Sequence, residues 1–500
     1  MNREVFRMER VTYQENGVTF LKDFNLRIDE GEILGLIPVN GYGLNAFLKL
    51  LEVNVPLEDG YVYSRGEIIN SWKDSRRTHN RISVIGAENR LVETLSVTDN
   101  IFVLRKGFRQ EVIRTGLLRR QLLPFLADIG MDIPTDVPVE RLTVFQRLVL
   151  ELLRAVVFGQ KFIVLNEIGA LISYEELDKL HKILRHYAAQ GFSFLYICLH
   201  YEEASRICER CAMMSHGRIL KLLPCNDGES AERLYTAEYK KMVRVHMENR
   251  QEQLQKQGQA FAAEHLRGEH LRDLSFAVGA GECLAVQILD NNVFAELRSF
   301  LLQDQMPEGG ELWVGKRRRR NFSDRRIAVI KELATRTMVF PELSYMENLC
   351  ISLSMRVPTL WLKKSIRRSI RREYGPILGE EVFDLPVSSL TERQKYQMIY
   401  TRIQLAHPDV VFCIQPFKSA DLPHRIHIWR LLEQLMDHGI AVVLVSLNLS
   451  DSLSMADRLL VIGKEGSQEV LRKDFPTLAV DESGVRMPAL LCQAGVIAWN

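Results

Sequence analysis

Five hundred residues exceed what one hydrophobic core usually serves, so about two to four domains are expected. Hydrophobic residues at 46% and charged residues at 26% give an ordinary folded composition, which excludes a disordered or fibrous class. The formal charge of +2 leaves no overall field for nucleic acid or anionic lipid, and no apolar run approaches the roughly 18 residues that cross a bilayer. The start, MNREVFRMERVTYQ, is charged and lacks the apolar core of a signal peptide, so a cytoplasmic chain is expected. Eight cysteines are sparse, and most lie in apolar stretches such as LYICLH and VVFCIQ. The C-x-x-C of Cys208 and Cys211 has no second pair at zinc spacing, and buried free thiols are expected.

Along the chain, a start of alternating strands leads into the apolar strand GEILGLI and then a helix, NAFLKLLEV. A helix-rich middle follows, then a Leu-Thr turn opening the helix QRLVLELLRAVV and a continuous apolar strand, FIVLNE. An amphipathic helix (YEELDKLHKILRHYAAQG) and a further buried strand, FLYICLH, come next. The same order then returns: GECLAVQIL, VFAELRSFLL, a helix-rich middle, QKYQMIYTRIQL, VVFCIQ, HRIHIWRLLEQLMDHG and VVLVSLN. The shift is nearly fixed. Gly31-Glu32 recurs as Gly281-Glu282 (281−31 = 250), Leu95-Ser96 as Leu343-Ser344 (343−95 = 248), and Leu142-Thr143 as Leu390-Thr391 (390−142 = 248). A constant offset over most of the chain marks an internal duplication. Strands alternating with helices predict an α/β fold with a mainly parallel sheet in each copy. The predicted boundaries are 1–240 for the first domain, 241–262 for a Gln-rich linker, 263–468 for the second domain and 469–500 for a tail with no assigned role.

In order and spacing the residues resemble the ATP-binding-cassette family, and within it the tandem ATPase subunits of ribose/galactose-type sugar importers. The resemblance covers about residues 1 to 465. It implies two P-loop-NTPase-like nucleotide-binding domains in tandem, each with a helical subdomain, ATP as cofactor, transmembrane permease subunits as partners and, indirectly, a sugar-binding protein. It also implies a place on the inner face of the plasma membrane. In the family, each ATP lies between the phosphate loop of one domain and the signature turn of the other.

The family's phosphate loop is G-x-x-x-x-G-K-[ST]: glycines let backbone N–H groups close on phosphates, Lys neutralises charge, and Ser/Thr ligates Mg2+. The aligned stretch here is Pro38-Val39-Asn40-Gly41-Tyr42-Gly43-Leu44-Asn45-Ala46. Gly41 and Gly43 persist, with Asn40 beside them, but Pro38 replaces the first glycine, Leu44 the lysine and Asn45 the hydroxyl residue. In the second copy, Ile288-Leu289-Asp290-Asn291-Asn292-Val293-Phe294-Ala295 has neither Gly nor Lys, and Asp290 adds a negative charge. A like charge about 4 Å from a phosphate costs about 4 kcal/mol at a surface-like dielectric.

The signature turn, L-S-G-G-Q in the family, aligns with Leu142-Thr143-Val144-Phe145-Gln146 and with Leu390-Thr391-Glu392-Arg393-Gln394. Thr143 with Gln146, and Thr391 with Gln394, can either bond a phosphate oxygen or cap the following helix. The family's Asp-Glu pair appears as Asn166-Glu167 and as Ile414-Gln415. Glu167 is the candidate for positioning water, against a plain strand-end carboxylate. Asn45 and Asn166 stand at the family's Mg2+ positions without its charge or hydroxyl, so Mg2+ binding is not expected there. The γ-phosphate sensor position falls at Ala87, and near Lys331-Glu332 in copy two. The switch histidine position holds Leu199, with His200 one residue late as a displaced switch or a surface histidine, and Leu447 in copy two. Tyr13 is the candidate for stacking on adenine.

The losses together predict weak or absent hydrolysis, because phosphoryl transfer depends on positioning and electrostatics. Basic runs at 316–326 and 363–372 lack interleaved aromatics, so nucleic acid is not expected as a partner. A non-transport regulatory or scaffold protein reusing the same fold is the alternative reading.

Overall fold

The computed structural model describes residues 3–73, 78–88, 90–102, 115–225, 258–351, 353, 364–463 and 466–471. The described residues up to 225 form one compact unit and those from 258 another.

In the first unit, β1 (Glu4–Glu15), β2 (Val18–Asp29), β4 (Asp59–Ser64) and β5 (Glu67–Ser71) make an antiparallel sheet in the order β2-β1-β4-β5. The second sheet runs β10-β9-β3-β8-β7-β6, built from β3 (Ile33–Pro38), β6 (Ile82–Ile85), β7 (Phe162–Asn166), β8 (Ser193–Ile197), β9 (Arg210–Ser215) and β10 (Arg218–Pro224). All its pairings are parallel except β9 with β10. Helices cover this sheet, so its central strands are apolar on both faces: every residue of SFLYI and ILGLIP is buried.

The second unit repeats the plan. Strands β11 (Gln259–Arg267), β12 (Leu274–Gly279), β14 (Gly309–Val314) and β15 (Arg317–Arg319) form the sheet β12-β11-β14-β15. The parallel sheet is β16-β17-β18-β13-β19-β20, from β13 (Cys283–Ile288), β16 (Ile327–Ile330), β17 (Val410–Ile414), β18 (Ala441–Ser446), β19 (Arg458–Ile462) and the antiparallel β20 (Ser467–Leu471). Strand for strand this is the order of the first unit, which is the expected α/β fold in two copies. Even the ion pairs recur: Arg210 bonds Glu32, and Arg458 bonds Glu282.

Two edges differ from the sequence boundaries. Strand β11 begins at Gln259, inside the segment read as linker, because Ala260, Phe261 and Ala263 are core residues. Strand β20 runs to Leu471, past the expected domain end at 468, since it closes the sheet edge against β19. Residues 241–257 and 472–500 lie outside the described residues.

Candidate functional site

Open parallel sheets bind ligands beyond the carboxyl ends of their strands. In the first unit β3, β8 and β7 are neighbours, and their ends carry Asn40, Gly41 and Gly43, then His200, then Asn166 and Glu167. The fold therefore gathers most of the predicted residues at one edge.

The segment 39–43 joins β3 to the helix Leu44–Glu52, as a phosphate loop must. Gly43 adopts φ 83°, and a Cβ there would lie 2.5 Å from the Phe20 carbonyl oxygen. This position needs glycine for conformation and for close approach alike. The loop is tied to its neighbours: Asn40 Nδ2 donates to Ser215 Oγ (3.0 Å), its Oδ1 accepts from His216 N (3.1 Å), and Tyr42 donates to the Thr19 carbonyl (2.6 Å). Leu44, at the lysine position, is buried in the core beside Phe47, whereas Asn45 is exposed.

The second unit differs physically. Strand β13 keeps an offset of 250 from β3 at both ends (283−33 and 288−38), but the next helix, Asn291–Leu302, starts only 247 residues after Leu44. Nearly one extra turn of helix stands where the first unit has loop. Asp290 caps it, its Oδ1 accepting from Asn292 N (2.8 Å) and Val293 N (3.2 Å). A carboxylate of the chain itself thus takes up N–H groups of the helix N-terminus.

At the signature turns, Thr143 caps the helix Val144–Val157 in a reciprocal box with Gln146, its N–H donating to Gln146 Oε1 (3.0 Å) and its Oγ accepting from Gln146 N (3.2 Å). Thr391 and Gln394 repeat the box at the helix Glu392–Ala406. Phe145, at a family glycine position, is buried.

After β7 and β17, Glu167 (φ 53°) and Gln415 (φ 43°) both take the left-handed conformation. Their N–H groups bond Ile197 O and Val445 O, each at 2.8 Å. A non-glycine residue there costs about 1 kcal/mol, and its presence at both equivalent positions marks a shared turn geometry. The Asn166 Oδ1 and Gln415 Oε1 acceptors are buried without a partner among the described residues. His200 is half-buried at the start of the short helix Tyr201–Ser205, while Leu447 is buried. Ala87 is exposed. Tyr13 lies elsewhere: it is 4% exposed, and Lys49 Nζ donates to its hydroxyl (3.1 Å). Packing in the strand core leaves its ring no open face for a base.

Behind Glu167, the Glu203 carboxyl lies against the backbone of Gly169, where an added Cβ would be 2.3 Å from Oε1. Tyr196 donates to it (2.6 Å), and His181 Nε2 lies 3.2 Å from the same hydroxyl. Burial pushes Glu203 up to about 7 and His181 down to about 3. Cys198, Cys208, Cys211 and Cys225 are free and buried, as expected, and no metal-binding cluster occurs among the described residues.

A second feature repeats between the units. The segments 90–96 and 338–344 are held alike in the two units. Asn100 and Asn348, both fully buried, accept from Val92 N and Phe340 N (each 2.8 Å). Their amides donate to three carbonyls each: those of Val92, Leu95 and Ser96, and those of Phe340, Leu343 and Ser344. Arg154 donates to Arg90 O (2.9 Å) and Arg402 to Met338 O (2.8 Å). The loops so held present Val92 at 41% and Phe340 at 49% exposure. All these pairs stand 248 apart, and the fixed offset, applied residue by residue, would have found them.

Two sheets of this order, each with a strand-to-helix loop at the carboxyl edge and a threonine-capped signature helix, define a protein with two nucleotide-binding cassettes. Residues 21–169 match the family model of the ABC transporter. The chain is 25% identical over 480 residues to the ribose import ATP-binding protein RbsA of Geobacillus kaustophilus, covering 92% of this chain and 93% of that one. It is 26% identical over 482 residues to the arabinose import ATP-binding protein AraG 2 of Burkholderia ambifaria, covering 92% and 90%. To the xylose import ATP-binding protein XylG of Moorella thermoacetica it is 23% identical over 489 residues, covering 92% and 95%. Residues 21–169 thus carry an ABC transporter domain, and over most of its length the chain is similar to sugar-import ATP-binding proteins. No helix among the described residues is long and apolar enough to cross a membrane.

Proposed function

We propose that this chain is the peripheral cassette subunit of a carbohydrate import system, docked on permease subunits at the cytoplasmic face of the membrane, with weak or absent ATP hydrolysis. The observation that carries this reading is a contrast within each unit. The exposed loops at 90–96 and 338–344, within the segments of about 87–105 and 332–352 where the family resemblance puts the permease contact, keep the asparagine and arginine clamps in both copies. The phosphate loops do not: one lacks a cation because Leu44 is core, and the other is replaced by a self-capped helical turn. Docking is retained where phosphate handling is lost.

Residues at the family's metal positions do not fit Mg2+ with ATP. Asn45 and Asn166 offer neutral amides where a hydroxyl and a carboxylate are needed, and Ile414, at the second copy's equivalent of Asn166, offers no donor atom. In this reading Glu167 keeps the water-positioning place without a metal-bound substrate to serve, and His200 is a surface residue. Asn40, Gly41 and Gly43 hold the loop shape, and nucleotide contact by Thr143, Gln146, Thr391 and Gln394 is second to capping.

Capture on the permease of its own import system tests the reading. Val92→Asp with Phe340→Asp should lower co-purification with that permease at least tenfold, since a charge buried at an interface centre costs more than about 1.4 kcal/mol. Both side chains are exposed, so the melting temperature should hold. Unchanged capture, or recovery of the native protein from cytosol with no membrane partner, overturns docking and favours a scaffold that reuses the fold.

A further inference from the structure

The helix Lys364–Leu378 (KSIRRSIRREYGPIL) carries five cations and one acid on a chain of nearly neutral balance. Its inner face is fixed: Ile366, Ile370, Tyr374 and Leu378 pack against the cluster that contains Tyr345, Leu349 and Phe383. Two of the cations are engaged inside the unit. Arg371 bonds Asp384 (2.6 Å) and lies over the Phe383 ring, and Arg367 stands beside Glu347. The other three, Lys364, Arg368 and Arg372, are exposed and have no carboxylate partner among the described residues. At i, i+4 and i+8 they form one stripe, with cations about 6 Å apart along the helix.

The fold does not require this stripe. In the first unit the helix Thr115–Asp128 holds the matching place, and 248 residues earlier the three positions are Gly116, Arg120 and Pro124. The cationic line belongs to the second copy alone. We propose that Lys364, Arg368 and Arg372 form a contact surface for anionic phospholipid headgroups. Charge complementarity supports this, since three unpaired cations on one ridge match a plane of phosphates, and their alkyl stems can lie along the interface while the charges reach it. Position supports it too. Arg367 on the same helix stands beside Glu347 of the helix Tyr345–Cys350, which directly follows the loop 338–344. This part of the argument rests on the docking reading above, in which that loop meets a membrane protein. No aromatic lies on the stripe to stack bases, which disfavours single-stranded nucleic acid.

Sedimentation of the full chain with phosphatidylcholine vesicles, with and without about a third phosphatidylglycerol, tests the proposal directly and needs no permease. Partitioning should favour the anionic vesicles and fall steeply at about 0.5 M salt. Each cation multiplies binding roughly fivefold, so Lys364→Glu with Arg368→Glu and Arg372→Glu should lower it by about a hundredfold or more, with the thermal transition unchanged. Equal binding to both vesicle types, wild-type binding by the triple variant, or tighter binding to a DNA duplex than to the anionic vesicles overturns it. The Val92→Asp and Phe340→Asp variant should bind these vesicles as the native chain does. Loss of permease capture and loss of lipid binding are thus separate results, and either reading can fail alone.

Discussion

Asn100 and Asn348 show how much one buried amide can organise. Each joins a helix to the loop before it through one accepted hydrogen bond and an NH2 group shared among three carbonyls, in a place with no solvent. Replacing either by Ala leaves the Val92 or Phe340 N–H unpaired, while the three carbonyls keep their backbone donors, and should cost about 2–3 kcal/mol in denaturant unfolding. A cost below about 1 kcal/mol would mean that water replaces the clamp. Glu203 gives a pH prediction. Its folded value of about 7 lies above the ordinary 4.5, so its contribution to stability is full below pH 4.5 and is lost as pH rises towards 7. His181, held near 3, acts oppositely: its contribution is present above 6.5 and lost as pH falls. The two offset each other in the native protein between about pH 4.5 and 6.5, so the comparison must be with Glu203→Gln. That variant should gain on the native protein in melting temperature as pH rises from 5 towards 7, and a constant difference would contradict the assignment. Neither residue was legible in the sequence. A buried carboxylate is made by packing from distant segments, here Gly169 and Tyr196, and no local pattern announces it.

Among the elements, the parallel strands were legible because burial on both faces writes itself as runs such as FIVLN and AVVLVS. The connection after β13 was not. Asp290-Asn291-Asn292 reads as a loop, since all three residues favour turns, and the sequence reading saw only a charge unwelcome to phosphate. The same Asp is also a strong helix cap, and that preference prevails, extending the helix Asn291–Leu302 towards the strand. Asp290→Ala should cost about 1 kcal/mol through the lost cap, measured by thermal unfolding, without creating phosphate affinity, because the helical turn still fills the space. Glu296 on that helix has a larger structural part. Its carboxylate accepts from three consecutive N–H groups, Glu269 (2.6 Å), His270 (2.9 Å) and Leu271 (2.6 Å), and so ties the β11–β12 turn to the helix. Glu296→Ala should cost about 2–4 kcal/mol, more than the loss of Asp290, because it strands three donors around a buried site. The reverse ranking would show that the turn is held by something else.

For the molecule as a whole, the duplication was visible in the constant offset, and the identical strand order of the two sheets is its structural form. What sequence comparison within the chain could not separate is which repeated features are scaffold and which are site. The Glu32–Arg210 and Glu282–Arg458 pairs and the clamped loops recur in both copies, while the connections from β3 and β13 to their helices differ between them. On this account the cassette architecture and its docking side persist without the electrostatic apparatus for phosphoryl transfer. The direct test is steady-state phosphate release from MgATP by the purified full chain beside its Glu167→Gln variant. The account predicts no release from the native protein above that of the variant. Turnover on the order of 10 s⁻¹ that the substitution abolishes would contradict it.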